Sequence, residues 1–324
     1  MKIPEILAKS NGKEVSFEIT PPTHGRRAST LDKTLDTLAA FKPLFIDVTS
    51  RAAKMSYKSG AEGGSFKQHI LQPTPGTLPI CSKIQERLGI SSAPHALCRG
   101  FTPRESQTFL IDAYFGAGID NVLVVRGDDL NYDKDYAETP NRYAVDLVKQ
   151  IAALNSGKYL NGIRDVATDF CIGVAGYPEK HIEAANRKTD LKYLKGKIDA
   201  GADYIITQMF FDNQKFYRFV EDCRGAGINC PIIPGLKILT RRSHLTKLPE
   251  RFHLDIPYEL SEKVLAAEKK PGAVTQIGVE WAIAQVRDLF ANPQYFVGEK
   301  CIAHFYITNG AGPVRRVLES VLGN

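Results

Sequence analysis

The sequence lacks the features that mark membrane-spanning and secreted proteins. Its 324 residues contain no run of 18 apolar residues, so no segment is predicted to cross a membrane. The first residues, from Met1 to Glu5, do not show the pattern of a secretory signal peptide. With 43% hydrophobic and 24% charged residues, we expect a globular chain with ample material for a core.

Cysteine and histidine occur without the spacings of disulfide frameworks or metal sites. The six cysteines show no C-x-x-C pattern, and Cys98, Cys171 and Cys301 fall in or beside predicted strands. This favours buried thiols in a reducing cytoplasm. The seven histidines show no i, i+4 pair with accompanying carboxylates, so no metal site is predicted.

A dense patch of one charge is also lacking. The net charge of +6 is scattered, and the arginine pairs at 26–27, 241–242 and 315–316 are more typical of solvated faces than of binding patches. Because a nucleic-acid footprint would be denser and interleaved with aromatic residues, no nucleic-acid partner is expected.

Repeated helix-to-strand units are what the sequence does contain. Three times, at residues 115–119, 199–202 and 224–228, a helical run ends in a small-residue turn and an apolar strand follows. A glycine just past a helix supplies the left-handed residue that ends it. A short apolar run after it is typical of a strand buried on both faces, as in parallel sheets.

Eight such strands are predicted, and helical segments lie between them. The predicted strands are 15–20, 44–49, 94–98, 122–126, 170–175, 204–208, 231–235 and 302–307, and the predicted helices include 103–115, 141–154, 188–199, 214–223 and 277–290. The alternation indicates an α/β fold with a closed (β/α)₈ barrel. The alternative is an open doubly wound sheet, but the G-x-G-x-x-G motif of dinucleotide-binding sheets does not occur.

Two stretches depart from the alternation. Residues 52–77, after the second strand, are predicted to form a long loop over the active face, either functional or disordered, and residues 253–271 are predicted to be irregular. Since neither has the character of a linker, we expect one domain over residues 1–324.

The carboxyl ends of the predicted strands are polar. Active sites of (β/α)₈ barrels form at this end. Glu18 interrupts an apolar strand, and a partly buried carboxyl with a raised pKa suits a general acid, the alternative being a salt bridge across the rim. His95 is either a hydrogen-bonded structural residue or part of the site. The other polar strand ends carry Thr49, Arg126 with Asp128, Tyr177 with His181, Gln208 and Tyr306.

One predicted helix carries a possible nucleotide-binding face. Asp190, Tyr193 and Lys197 share a face, at spacings of three, four and seven residues. Asp190 could hold a ribose hydroxyl and Lys197 a phosphate, the alternative being an ion-paired surface.

Several motifs together resemble those of the methylenetetrahydrofolate reductases. They are VSFE at 15–18, VRGD at 125–128, GYPEKH at 176–181, GADYIITQMFFD at 201–212, IPG at 233–235 and HFYITN at 304–309. The resemblance runs in order over about residues 14 to 310. It is to the bacterial catalytic-barrel form, without the regulatory domain of longer eukaryotic members.

The resemblance implies a cytoplasmic flavoprotein that uses NADH or NADPH to reduce 5,10-methylenetetrahydrofolate to 5-methyltetrahydrofolate for methionine synthesis, with FAD as the cofactor on the barrel. The two substrates would bind in turn at the same flavin face. It implies that Glu18 is the acid, that Asp128 tunes flavin and folate, and that Gln208 contacts the pterin. The implied FAD contacts are Thr49, His95, Arg126, Gly127, Asp128, Tyr143, Tyr177, His181, Asp190 and Lys197. The expected partners are these small molecules, and a homo-oligomer is expected.

One departure and two rival functions accompany this interpretation. Many bacterial members place a phenylalanine after strand 7, where this chain has Arg241 and Arg242. The rivals are another flavin barrel such as a proline dehydrogenase, for which Arg315 and Arg316 would be the carboxylate-binding pair, and a non-catalytic folate- or RNA-binding protein.

Overall fold

The protein is described here by a computed structural model over residues 1–22, 28–59, 66–71, 76–128, 141–267, 270–308 and 310–323. The arginine pair at 26–27, residues 60–65 and 72–75 of the long predicted loop, and position 309 of the last motif lie outside the described residues. In the part of the chain that is described, no helix has both the length and the apolar character needed to cross a membrane.

The strands form one parallel sheet that curls into a barrel, and a separate hairpin. The sheet order is β10-β11-β1-β2-β5-β6-β7-β8-β9, and β3 pairs only with β4 among the described strands. In chain order the strands are β1 (Lys13–Ile19), β2 (Phe45–Val48), β3 (Lys54–Ser59), β4 (Phe66–Leu71), β5 (Ser91–Leu97), β6 (Asn121–Val125), β7 (Cys171–Gly176), β8 (Tyr204–Thr207), β9 (Ile232–Ile233), β10 (Gly235–Leu236) and β11 (Cys301–Ile307). All eight predicted strands are confirmed, and with them the α/β barrel.

Pro234 divides the seventh strand position into β9 and β10. Proline has no N–H group for a strand ladder. Its carbonyl accepts from the amide of His304 at 3.0 Å, and the next amide, that of Gly235, donates to Thr207 Oγ1 at 2.9 Å. The first half therefore pairs with β8 and the second with β11, which closes the barrel.

The helices lie between the strands, largely as predicted. They are α1 (Ile3–Lys9), α2 (Ala28–Ala39), α3 (Thr77–Leu88), α4 (Pro103–Ile111), α5 (Ala144–Leu154), α6 (Arg187–Asp199), α7 (Asn213–Gly225), α8 (His244–Phe252), α9 (Tyr258–Ala266), α10 (Ala273–Ala291) and α11 (Gly312–Leu322). A π-helical turn, Asp112–Gly116, extends α4. The predicted left-handed glycines are confirmed, with φ of +60° at Gly118, +118° at Gly201 and +74° at Gly227.

Two predictions of irregular structure were wrong. Within residues 52–77, β3 and β4 pair as an antiparallel hairpin, in a register that places Lys54 opposite Leu71 and Ser59 opposite Phe66. Within residues 253–271, α9 forms a helix of nine residues. Leu260 and Val264, one helical turn apart, are buried against Leu239 and Leu248 in a second apolar cluster, and this packing stabilises a helix too short to be recognised by its pattern.

The barrel interior is unusually polar. Phe45 of β2 and Tyr204 of β8 meet across it, with ring centroids 6.4 Å apart, and Phe45 also stacks on His304 of β11 at 5.8 Å. Ser16, Asp47, His95 and His304 are buried at the same time. Since these positions alternate with apolar ones along their strands, they share the inner face of the sheet and lead up to the carboxyl ends.

Candidate active site

Glu18 lies at the mouth of the barrel, near the end of β1. Its strand neighbours are Asp47 on β2 and Tyr306 on β11. The side chain is only 16% exposed, and Oε2 lies 3.4 Å from His95 Nε2. Burial raises the pKa of Glu18 to about 7, against a smaller opposing effect of the Lys237 ammonium. The group can therefore hold and release a proton near neutral pH.

His95 does not form a charged pair with Glu18. Burial lowers the pKa of His95 to about 4, so the imidazole is neutral near pH 7. Its Nε2 is buried and has no hydrogen-bond partner among the described residues. The neutral imidazole does not favour the alternative of a salt bridge between Glu18 and His95. His95 Nε2 is therefore a buried polar atom at the site without a hydrogen-bond partner.

Lys237 is a site residue that the sequence analysis missed. It directly follows β10, is buried, and its Nζ donates to the carbonyl of Tyr306 at 2.9 Å and to Thr308 Oγ1 at 2.7 Å. Burial lowers its pKa to about 8, while the charge of Glu18 acts in the opposite direction. The available signal was a lysine two residues after the predicted strand 231–235. Arg241 and Arg242, which the sequence analysis singled out in this region, are exposed.

A second group that the sequence analysis missed lies inside the barrel. Ser16 Oγ and His304 Nδ1 share a hydrogen bond of 2.9 Å, and His304 Nε2 lies 3.9 Å from Asp47 Oδ2. Both Asp47 carboxyl oxygens, His304 Nε2 and the Tyr204 hydroxyl are buried without a hydrogen-bond partner among the described residues. Burial raises the pKa of Asp47 well above its usual range, with a contribution from the charge of Glu18.

Thr49 and Gln208 follow β2 and β8, as predicted. The amide of Thr49 continues the ladder by donating to the carbonyl of Ile19 at 3.0 Å. Its Oγ1 is buried and unpartnered in the described structure. The amide of Gln208 donates to the carbonyl of Gly176 at 2.8 Å, and its side-chain oxygen accepts from the amide of Met209 at 3.0 Å, so both side chains are held at the strand ends.

A cleft beside the ends of β7 and α6 brings together the predicted nucleotide-binding residues. It is lined by Tyr177, Lys180, Arg187, Asp190 and Lys197, among others. Asp190 Oδ2 accepts from the amide of His181 at 3.0 Å, and Lys197 Nζ donates to the carbonyl of Ala175 at 2.6 Å. Burial lowers the pKa of Lys197 to about 8. Tyr193, the third residue of the predicted face, is exposed.

His181 and Tyr177 pack together in this cleft. Their ring centroids are 4.6 Å apart in an edge-on arrangement. Burial lowers the pKa of His181, against the opposing charges of Asp190 and Glu183. The neutral imidazole accepts from the amide of Glu183 at 3.2 Å through Nδ1.

The end of β6 presents Arg126 and Gly127. The guanidinium of Arg126 forms an ion pair with Glu183 and lies 5.1 Å from the ring centroid of Tyr143. Gly127 has φ +88°, a conformation that favours glycine. Glu183 links Arg126 to the cleft, because its carboxylate pairs with Arg126 and its amide donates to His181 Nδ1.

Asp128 is separated from these contacts. Its side chain is 69% exposed and accepts from Arg251 Nη2 of α8 at 2.8 Å. Arg126 and Asp128, which end the same predicted strand, thus have different ion-pair partners: Arg126 pairs with Glu183 and Asp128 with Arg251.

The residues present fit a bound FAD. Thr49 Oγ1 and His95 Nε2, at the strand ends, are buried polar atoms without a hydrogen-bond partner among the described residues, and polar groups of a cofactor could satisfy them. The neighbouring cleft offers the Lys197 ammonium and the Asp190 carboxylate. Among the residues that the structure describes, no three His, Cys, Asp or Glu side chains are grouped so that they could hold a metal ion.

Comparisons with known proteins place the chain in a family. A family model described as methylenetetrahydrofolate reductase matches residues 2–321. The 5,10-methylenetetrahydrofolate reductase of Escherichia coli (strain K12) is 32% identical over 306 residues, which cover 94% of this chain and 90% of that protein.

Two further matches differ in what they show. Methylenetetrahydrofolate reductase (NADH) 1 of Arabidopsis thaliana is 32% identical over 288 residues, which cover 86% of this chain but 44% of the plant protein's length. A solved structure, an uncharacterized protein from Clostridium thermocellum that binds two copies of 5-methyl-5,6,7,8-tetrahydrofolic acid, superposes with a TM-score of 0.62 over 99% of this chain and 98% of that one. At 14% identity this likeness is of fold alone. By the family match and the bacterial relative, the chain belongs to the methylenetetrahydrofolate reductase family.

Proposed function

We propose that the protein reduces 5,10-methylenetetrahydrofolate to 5-methyltetrahydrofolate, with FAD as cofactor and NADH or NADPH as reductant. The observation that carries the proposal is Glu18, a carboxyl at the barrel mouth whose pKa burial raises to about 7. Family membership supports the substrate. We assign the activity to the whole chain as one catalytic domain, because the barrel extends from β1 near its start to β11 near its end.

Glu18 would act as the general acid of the folate step. The methylene bridge of the folate must open before its carbon can accept a hydride, and opening needs a proton on the departing nitrogen. A protonated Glu18 donates that proton from Oε1 or Oε2 and becomes a carboxylate. Gln208, held by its backbone and side-chain contacts at the end of β8, would orient the pterin ring.

The cofactor would occupy the strand ends and the adjacent cleft. When bound, FAD would supply the hydride carrier between the nicotinamide and the folate, with the two substrates binding in turn. Lys197 and Asp190 would bind the phosphate and ribose parts, and the Asp128 carboxylate, which is paired with Arg251, would tune the flavin and the folate through its charge. The remaining contacts would come from Thr49, His95, Arg126, Gly127, Tyr143, Tyr177 and His181.

The proline dehydrogenase alternative loses the feature that favoured it. Arg315 and Arg316 are exposed on α11; Arg315 Nε lies 3.4 Å from Glu319 Oε1, and Arg316 donates to Gln276. Both guanidinium groups thus engage surface partners, which is the arrangement of a solvated helix face.

The two half-reactions separate proton donation from cofactor binding. Glu18→Gln should slow folate reduction by at least about a thousandfold, or roughly 4 kcal/mol in barrier, and leave flavin reduction by NAD(P)H within about tenfold. Stopped-flow absorbance of the flavin in each half-reaction measures both rates. The matched control is Glu14→Gln, at the opposite end of β1, which should change neither. Equal large losses in both half-reactions would assign Glu18 to flavin positioning, and unchanged folate reduction would place the acid elsewhere.

A further inference from the structure

Lys237 is a buried cation that the proposed reaction has not yet used. Its side chain is 8% exposed, and lysine is rarely buried without a partner. Two of its three N–H bonds are directed to the Tyr306 carbonyl and to Thr308 Oγ1. These two acceptors are neutral, so they fix the position of the ammonium without balancing its charge.

The strand register brings this ammonium to the level of Glu18. Leu236 lies opposite Phe305, so Lys237, the next residue, is level with Tyr306, whose carbonyl it binds. Tyr306 is in turn the direct neighbour of Glu18 in the pairing of β11 with β1. Lys237 and Glu18 therefore flank the same residue, from the two strands on either side of it.

The other titratable groups around Glu18 do not supply a positive charge. His95 on β5 is neutral because burial lowers its pKa to about 4. Asp47 on β2 and Tyr306 on β11 have pKa values raised well above their usual ranges by burial and by the charge of Glu18. Of the described side chains surrounding Glu18, Lys237 is thus the one that is cationic at neutral pH.

A general acid in a poorly solvated site needs such a charge. When the Glu18 proton moves to the folate nitrogen, the electron pair of the O–H bond stays on the carboxyl, and a carboxylate appears where burial disfavours it. The Lys237 ammonium, on the other side of Tyr306, offsets this cost by an amount that depends steeply on the local dielectric. The carboxylate then regains a proton from water through its exposed edge.

We propose that Lys237 is the countercharge of Glu18, a positioning residue that stabilises the carboxylate formed by proton donation and so sets the pH range of the folate step. The role of Lys237 in the folate step rests on the proposed function, whereas its electrostatic interaction with Glu18 does not depend on that function. Lys237 is thereby distinguished from Arg241 and Arg242, which lie exposed beyond it.

The variant Lys237→Met keeps the length and apolar stem of the side chain and removes its charge. The proton dissociation constant of Glu18 should fall about tenfold or more, which moves its titration midpoint up by at least about one pH unit. The rate of folate reduction, which falls as Glu18 loses its proton, should keep its plateau to a correspondingly higher pH. The pH dependence of flavin reduction by NAD(P)H should not move. Lys237→Arg should retain the wild-type midpoint, and Lys247→Met, an exposed lysine on α8, is the matched control.

A second readout needs no folate. The infrared C=O band of protonated Glu18, identified by its absence in Glu18→Gln, can be titrated in wild type, Lys237→Met and Lys237→Arg. Midpoints that coincide in wild type and Lys237→Met would overturn the inference, and so would a shift of the same size in Lys237→Arg. If wild type failed to reduce folate while the infrared midpoint still moved in Lys237→Met, the proposed function would fail and the countercharge would stand.

Discussion

Asp190 and Lys197 are the two side chains proposed to bind the ribose and phosphate parts of the cofactor. Asp190 is held by the amide of His181, and Lys197 by the carbonyl of Ala175, so each is fixed by one backbone contact. Both retain further hydrogen-bonding capacity, since a carboxylate has about four lone-pair sites and an ammonium three donors. The spacing of seven residues on α6 predicted their shared face, and the cleft confirms that they lie together.

Loss of these two side chains should release the cofactor. Asp190→Ala combined with Lys197→Ala removes the cleft's proposed ribose and phosphate ligands, and we expect retention of FAD to fall by more than about a hundredfold, or roughly 3 kcal/mol, since charged hydrogen bonds contribute about 1.5–3 kcal/mol each. The flavin absorbance of the purified protein and fluorescence titration with FAD measure this.

The control for this loss is Lys188→Ala with Lys192→Ala, which removes two exposed lysines of the same helix. The control should retain flavin as wild type does. A double Asp190 and Lys197 variant with full flavin content would remove both residues from the binding site.

Single site residues could be predicted from the sequence where a polar residue stands between apolar neighbours in a strand. Glu18 was recognised because a carboxylate between Phe17 and Ile19 interrupts an apolar strand. Asp47 and His304 interrupt their strands in the same way but were not predicted as site residues, although Asp47 lies directly opposite Glu18 in the strand register. Their importance follows from burial without hydrogen-bond partners, which only three-dimensional contacts reveal.

At the scale of elements, α10 approaches the backbone of the segment after β10 closely. A Cβ built on Gly278 would lie 1.9 Å from the carbonyl oxygen of Leu239. Leu239 is two residues beyond Lys237, so this contact fixes the segment that carries the buried ammonium. The residue on α10 must therefore be glycine for the helix to approach this closely.

Gly278→Ala should destabilise the protein by about 2–4 kcal/mol, because backbone atoms rather than a flexible side chain would have to move. Gly196→Ala is the matched control, since Gly196 is also inside a helix and a Cβ there would meet no atom within 4 Å. We expect it to stabilise by about 0.5–1 kcal/mol. Urea unfolding of the two variants measures both changes, and equal free energies of unfolding would contradict the close packing of α10.

Helices and strands could be located from the sequence where burial imposes a repeating pattern of apolar residues. The strands of the barrel are short, largely apolar runs, and three of them follow left-handed glycines, so all eight could be located. The hairpin of β3 and β4 lies outside the barrel, and α9 has only nine residues, so neither carries a long periodic signal. The division of β9 from β10 follows from Pro234, although the sequence alone does not show which neighbour each half pairs with.

For the whole molecule, the polar barrel interior links stability to pH. His304 is fully buried, and burial lowers its pKa to about 3. Asp47 is equally buried and its pKa is raised well above the usual range. Both groups are thus neutral in the folded protein near pH 5–6, whereas in the unfolded chain the histidine is largely protonated and the aspartate is ionised.

The two groups affect stability in opposite directions. Between pH 5 and 6 the unfolded chain binds more protons than the folded protein at His304, so this residue makes the free energy of unfolding rise with pH. At Asp47 the folded protein binds more protons, so this residue makes it fall. Each residue contributes a slope of at most about 1.4 kcal/mol per pH unit to the free energy of unfolding. In wild type the two slopes should nearly cancel, which leaves the effects of the other titrating groups.

Substituting the two residues separately should uncover these opposed slopes. His304→Gln should lower the slope of unfolding free energy against pH by about 1 kcal/mol per pH unit between pH 5 and 6, and Asp47→Asn should raise it by about the same amount. Urea unfolding at pH 5, 5.5 and 6 measures the slopes, which do not depend on how far each substitution destabilises the protein overall. If Asp47 and His304 instead formed an ionised pair across their 3.9 Å separation, each would carry the same charge folded and unfolded in this range. Both variants would then keep the wild-type slope, and the neutral interior inferred here would be wrong.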